Sequence, residues 1–148
     1  MLVVLQRVSR ASLSVSGKEV TSIKRGYLLL VGLLEGDTEE DLGKMAKKIA
    51  FLRVFQDEQG KTNLDLKAVD GEILSVSQFT LAADCKKGNR PSFVMAMESQ
   101  KAKNYYEQFD NLLRGYGFAV SEGIFGADME VELLNDGPFT VLLDSREL

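Results

Sequence analysis

Apolar residues along the chain fall into runs, short alternations and two helical stripes. Residues 2–15 predict a strand, cleanly alternating only where Ala11, Leu13 and Val15 oppose Ser12 and Ser14. GYLLLVGLLE (26–35) is apolar almost throughout, as expected of a strand buried on both faces. A helix is predicted from Asp37, with Asp37 as N-cap and Glu40 at the third helical position. Leu42, Met45, Ala46 and Ile49 then share one helical face. RVFQD (53–57) predicts a short strand and DEQG (57–60) a turn. A second helix is predicted over roughly 98–114, with Ala102, Tyr105, Tyr106, Phe109, Leu112 and Leu113 on one face and Gly115 or Gly117 as its stop. Further strands are expected at 117–122, 128–135 and 139–144. Strands not separated by regular helices predict an α+β fold, a sheet packed with two main helices.

Two stretches break the pattern. GEILSVSQFTLAAD (71–84) begins as a strand with Leu74 and Val76 on one face, but continuing that period brings Gln78 and Thr80 onto the same face. Either the strand ends or bulges at Ser77-Gln78, or these polar groups point at something buried. Near the C-terminus, LLNDGPFTVLL (133–143) reads as two strands joined by a turn at Asp136-Gly137. Pro138 sits where a two-residue hairpin would need a backbone N–H, which proline lacks. X-Pro bonds are cis in roughly 5–6% of folded cases, so residue type alone favours trans here.

Composition narrows the chemistry. The chain has 148 residues, 45% hydrophobic and 27% charged, and predicts a single domain over 1–148 with a sizeable core. No apolar run reaches membrane-spanning length, and the N-terminal run is too short for a signal peptide, so a cytoplasmic location without membrane association is expected. The net charge of −4 argues against a broad nucleic-acid footprint. There is no histidine and one cysteine, Cys85. That excludes Ser-His-Asp and Cys-His nucleophile systems and an ordinary zinc site, and neither metal nor cofactor is expected. A hydrolase on this chain must work with carboxylates, hydroxyls, backbone groups or the substrate itself.

Three candidates remain, each beside an ordinary structural reading. Ser77, Gln78, Phe79 and Thr80 are either β-surface residues entering a loop or donors that hold a carbonyl and its oxyanion. Thr80 is a nucleophile by residue type, but no base lies near it in sequence. Gly137 and Pro138 are either a wide turn or a backbone that exposes its carbonyls. Arg7 is either an exposed strand arginine or a clamp on carbonyl oxygens. Lys86, Lys87 and Arg90 read most simply as a solvated loop.

Together these stretches resemble the D-aminoacyl-tRNA deacylases, also called D-tyrosyl-tRNA deacylases. The matching segments are LQRVSRASLSV, GYLLLVGL, GKTNLDL, ILSVSQFTLAAD with GNRPSF, and GIFGADMEVELLNDGPFT, in order over nearly the whole chain. The resemblance implies a barrel-like, mixed or antiparallel sheet with two helices. It also implies a homodimer acting on the aminoacylated 3′ end of tRNA, and hydrolysis of esters of D-amino acids and of glycine. In that reading Gly137-Pro138 is a Gly-cisPro motif reaching into the other subunit's pocket. Ser77, Gln78, Phe79 and Thr80 line the pocket, and Arg7 helps hold the Gly-cisPro carbonyls. The alternative is a non-catalytic RNA-end-binding module on the same scaffold, suggested by the lack of a side-chain acid or base.

Overall fold

A computed structural model describes residues 1–148. The elements are β1 (Leu2–Val15), β2 (Lys18–Ile23), β3 (Gly26–Gly32), α1 (Glu39–Ala50), β4 (Phe55–Gln56), β5 (Thr62–Leu64), β6 (Glu72–Ser77), α2 (Ser99–Gly115), β7 (Val120–Glu122) and β8 (Met129–Asp144). The sheet runs β2-β1-β3-β6-β7, with β8 on the other side of β1 and β4–β5 as a separate hairpin. It is mixed: β3–β6 and β6–β7 are parallel, and the pairs made by β1 are antiparallel. The sheet curls until β2 comes against β6 and β7, giving the nearly closed, barrel-like shape the resemblance implied.

Two apolar clusters hold the fold. The larger, with Val3, Leu5, Leu29, Met45, Ile49 and Phe109, fills the space between the sheet and the two helices. The smaller, with Val8, Ala11, Leu13, Ile23, Leu28, Leu74 and Val76, fills the curl of the sheet. β1 serves both clusters. Val3 and Leu5 point to the first, Val8, Ala11 and Leu13 to the second. An extra residue at Ser9, between the pairs Val8–Asn135 and Arg10–Leu134, shifts the period by one and lets Val8 and Ala11 share a face. This is why clean alternation begins only at Ala11.

β8 overturns one sequence expectation. The runs 128–135 and 139–144 are not two strands of a hairpin; they are one strand paired with β1 from Met129 to Asp144. Between the pairs Gln6–Thr140 and Val8–Asn135, Asp136 to Phe139 on β8 stand against Arg7 alone on β1. NDGP is therefore a bulge within a strand. It also changes the strand's loyalty: Met129, Val131 and Leu133 pack on the curl's cluster, and Phe139, Val141 and Leu143 on the helix-side cluster.

Other differences are local. Helix α1 starts one residue later than predicted, with Thr38 as N-cap and Asp41 accepting from the Thr38 N–H at 2.9 Å. Asp37 cannot cap because its buried carboxylate takes the Leu34 N–H at 2.6 Å and the Met1 ammonium at 2.5 Å. Strand β2 lies outside the predicted elements, although Ser16 and Gly17, at φ 51° and 73°, form the tight turn that joins it to β1. No helix is long and apolar enough to cross a membrane.

Candidate functional site

β6 ends at Ser77, where the apolar phase breaks, and residues Phe79–Ala82 turn into a short 3-10 helix. The turn sits directly on β3. A Cβ on Gly32 would lie 2.8 Å from the Leu81 Cβ and 3.1 Å from the Gln78 carbonyl oxygen, so only glycine admits this approach. The Gln78 N–H completes the contact by donating to the Val31 carbonyl at 2.7 Å. No loop carbonyl and no side chain accepts from the next two N–H groups, of Phe79 and Thr80. Phe79 helps to line a cavity of about 570 Å³, together with Ser77, Gln78, Val31, Met97 and Phe125, among others; Thr80 is not among its lining residues. Backbone N–H groups that face an apolar cavity can receive a carbonyl oxygen and the negative charge that develops on it.

Arg7 is 5% exposed, not a surface arginine. Its Nε donates to the Asp136 carbonyl and its Nη2 to the Gly137 carbonyl, both at 2.9 Å, and its Nη1 donates to the Val54 carbonyl. The Asp136 carboxylate balances the charge at 3.1 Å, and the guanidinium lies 4.5 Å from the Phe139 ring centroid. The bulge is thus fastened from beneath while its tip, Gly137 and Pro138, is exposed. The Gly137–Pro138 peptide bond is cis. Arg7 and Gly137 meet; Gly137 and Pro138 are not among the residues lining the cavity beside Ser77 in the same chain.

The sequence profile of the D-Tyr-tRNA(Tyr) deacylase family matches residues 4–144. A curated D-aminoacyl-tRNA deacylase of Lactobacillus gasseri is 58% identical over 144 residues, spanning 97% of this chain and 99% of its own. The chain belongs to the D-aminoacyl-tRNA deacylase family. This is a family of hydrolases. Its Thermotoga petrophila member is 52% identical, with 100% of this chain and 99% of that one covered. Among solved structures, one described as a c-Myc DNA unwinding element binding protein superposes with a TM-score of 0.91 at 42% identity, covering 97% of this chain and 98% of that chain. A probable eukaryotic D-amino acid tRNA deacylase superposes at 0.83 over 96% and 97%, and at 19% identity shows the likeness of fold.

Against that family background, the Thr80 hydroxyl has no base. Its Oγ1 accepts from the Gln78 side-chain amide, a donor that cannot take a proton from it. Thr80→Ala is therefore expected to keep deacylation within about threefold of wild type, in contrast to the 10²–10⁴-fold typical of lost acid–base groups. A steady-state deacylation assay checks this, and a loss near 100-fold would make the hydroxyl a participant.

One buried polar group lies outside the predicted site residues. Asp110 on α2 is fully buried, and neither carboxyl oxygen has a hydrogen-bond partner. The Ser75 and Tyr106 hydroxyls face it without meeting hydrogen-bond geometry; the Tyr106 hydroxyl donates to the Ser75 carbonyl instead, at 2.8 Å. Burial lifts Asp110 to about 7, with nearby Glu122 adding to the rise and the Ser75 hydroxyl and Arg114 opposing it. The signal was in the stripe itself, since position 110 falls between Tyr106 and Leu113 at i+4 and i+7.

Proposed function

We propose that this chain hydrolyses the ester of D-aminoacyl-tRNA, and of glycyl-tRNA, to free tRNA and amino acid. It acts as a homodimer in which Gly137–Pro138 of each subunit screens the substrate in the other's cavity. The observation that carries the reading is the largely apolar cavity at the end of β6, lined by Ser77, Gln78 and Phe79, in a member of a deacylase family. The scissile bond is an activated ester beside a ribose 2′-OH, so substrate groups can assist the attack. The protein then supplies position and oxyanion stabilisation. This accounts for an enzyme without histidine.

Chirality follows from collision. Held by Arg7, the backbone at Gly137 and Pro138 offers carbonyl oxygens to the substrate amino group in one orientation. An L-side chain would then run into that backbone, whereas glycine has nothing to collide. The cross-subunit arrangement is supported by the exposure of the tip and its absence from its own chain's cavity. It is supported too by β8, which pairs only with β1 and shows Leu134 and Leu142, 51% and 78% exposed, to solvent.

Gly137 supplies a further argument. A Cβ built there approaches only the Asn135 side-chain amide, at 4.0 Å, and its φ lies outside the left-handed range. Nothing in its own chain demands glycine, which is consistent with a tip whose fit is to something outside its own chain. Gly137→Ala is expected to leave the thermal midpoint within about 2 °C, because the new methyl is neither buried nor crowded. Turnover of D-tyrosyl-tRNA should fall about tenfold. An alanine variant as active as wild type would remove the tip from the site.

The direct test incubates the purified protein with D-tyrosyl-, L-tyrosyl- and glycyl-tRNA. Release of the D-amino acid and glycine, with the L-ester intact, is expected. Equal release of D and L, or of neither, overturns the reading; tRNA retained with its ester intact would indicate an RNA-end-binding module.

A further inference from the structure

The loop from Asp84 to Met95 has no part in the site described above. Its neck is closed by a two-way backbone bridge, Asp84 N–H to Ser92 carbonyl at 2.8 Å and Ser92 N–H to Asp84 carbonyl at 2.9 Å. The loop presents three exposed cations, Lys86, Lys87 and Arg90, and none is in an ion pair. The only acid on the loop, Asp84, points its carboxylate at the Lys86 backbone N–H at 2.9 Å. The same loop carries the exposed apolar residues Val94, at 84%, and Met95, at 53%, and Phe79, 58% exposed, adjoins it through Phe93. Phe93 stands edge-on to Phe79 with ring centroids 5.1 Å apart, which joins the loop to the cavity mouth.

Unpaired cations next to exposed aromatic and aliphatic surface match the chemistry of single-stranded nucleic acid. Cations take the backbone phosphates and flat apolar groups take the faces of unpaired bases. The chain as a whole is net negative while this loop is net positive, so a polyanion is drawn to the loop more than to the average surface. A protein partner would have to supply acids for all three cations, whereas an RNA strand supplies phosphates at every step.

We propose that the 84–95 loop is a docking surface for the single-stranded RNA immediately upstream of the terminal nucleotide whose ester enters the cavity. The inference rests on the functional reading above for what enters the cavity, and on the loop's own chemistry for what it binds. It also reconciles an acidic protein with a polyanionic substrate: the contact is one small patch.

The test measures anisotropy of a fluorescein-labelled single-stranded RNA ending in CCA, against salt, with wild type and with Lys86→Ala/Lys87→Ala/Arg90→Ala. The triple variant is expected to bind about tenfold more weakly near 0.1 M salt. Its log-affinity against log-salt slope should be shallower by about 2, since each phosphate contact on a single strand contributes about 0.7. Val94→Asp, which alters only the apolar half, should weaken binding about threefold or more. Hydrolysis of D-tyrosyl-adenosine, which has no upstream phosphates, should change less than twofold in either variant and so reports that the fold is intact. Unchanged affinity and slope in the triple variant overturn the inference even if wild type deacylates D-tyrosyl-tRNA. Equal competition by blunt duplex RNA overturns the single-strand assignment. If wild type binds the RNA through the loop but cleaves no ester, the functional reading fails and the loop's role stands.

Discussion

Arg7→Lys is expected to lower kcat/KM for D-tyrosyl-tRNA about 100-fold, the scale of loss when reacting groups are displaced by about 1 Å. The substitution keeps the charge and removes the fork. The guanidinium reaches the Asp136, Gly137 and Val54 carbonyls at once. Its charge also sits over the Phe139 ring. An ammonium is a point charge on a flexible stem and cannot hold three carbonyls in fixed relative positions. Some of those oxygens would lose their partner in a buried place, so stability should fall as well, by about 2 kcal/mol. The two effects separate experimentally. Urea unfolding reports the loss of stability, and deacylation without urea, well below the thermal midpoint, reports the loss of turnover. The ratio of D to L turnover adds a third reading: a loosened tip should admit more L-substrate. A lysine variant with wild-type turnover and selectivity would show that Arg7 only neutralises Asp136.

The second large effect concerns pH. Asp110 is lifted to about 7 by burial, against an ordinary carboxylate value of 3.8. Below about pH 4 both the folded and unfolded chains carry its proton, and it makes no difference. Between about 4 and 7 the unfolded chain gives the proton up while the folded chain keeps it. Folding then requires proton uptake, and stability from this group falls as pH rises through that window. Above about 7 the loss levels off. The expected difference across the window is on the order of 3 kcal/mol, because each tenfold change in proton affinity is worth about 1.4 kcal/mol. Asp110→Asn cannot ionise. Relative to wild type, it should gain stability by that amount between pH 4.5 and pH 8. Urea midpoints of the two proteins at both pH values provide the measurement. Comparing the pair cancels other carboxylates, including Asp144, which Arg146 holds down at about 2 and whose contribution has the opposite sign. Parallel pH curves for the two proteins would mean that Asp110 is already ionised in the fold.

What the sequence could reveal depended on whether a pattern was local. The stripe Leu42, Met45, Ala46, Ile49 and the run from Gly26 depend on near neighbours, and both elements were read correctly. The end of β6 at Ser77 was readable as a break in alternation. The helix start was a near miss because Asp37 and Thr38 both offer caps. The choice falls to Thr38 only because Leu34 and Met1 engage Asp37. β8 was unreadable as one strand. Its continuity is defined by β1, more than 110 residues away, and the four residues opposing Arg7 look locally like a turn. Arg7 itself illustrates the limit. Residue type suggests a clamp, but which carbonyls it meets depends on that long-range pairing; only family resemblance attached it to Gly137. Asp110 was hidden by the habit of reading an acid on a helix as exposed.

A tip carried on a continuous strand has a consequence for engineering. A loop can be lengthened or shortened to move what it carries, but β8 is anchored by Met129, Val131 and Leu133 on one side of the bulge and by Phe139, Val141 and Leu143 on the other. Insertions or deletions between Leu133 and Phe139 would throw one of these two sets out of register before they re-aimed the tip. On the proposed reading of the tip, altered specificity would be sought by exchanging side chains at fixed length, and a graft onto another scaffold would have to bring β1 with it.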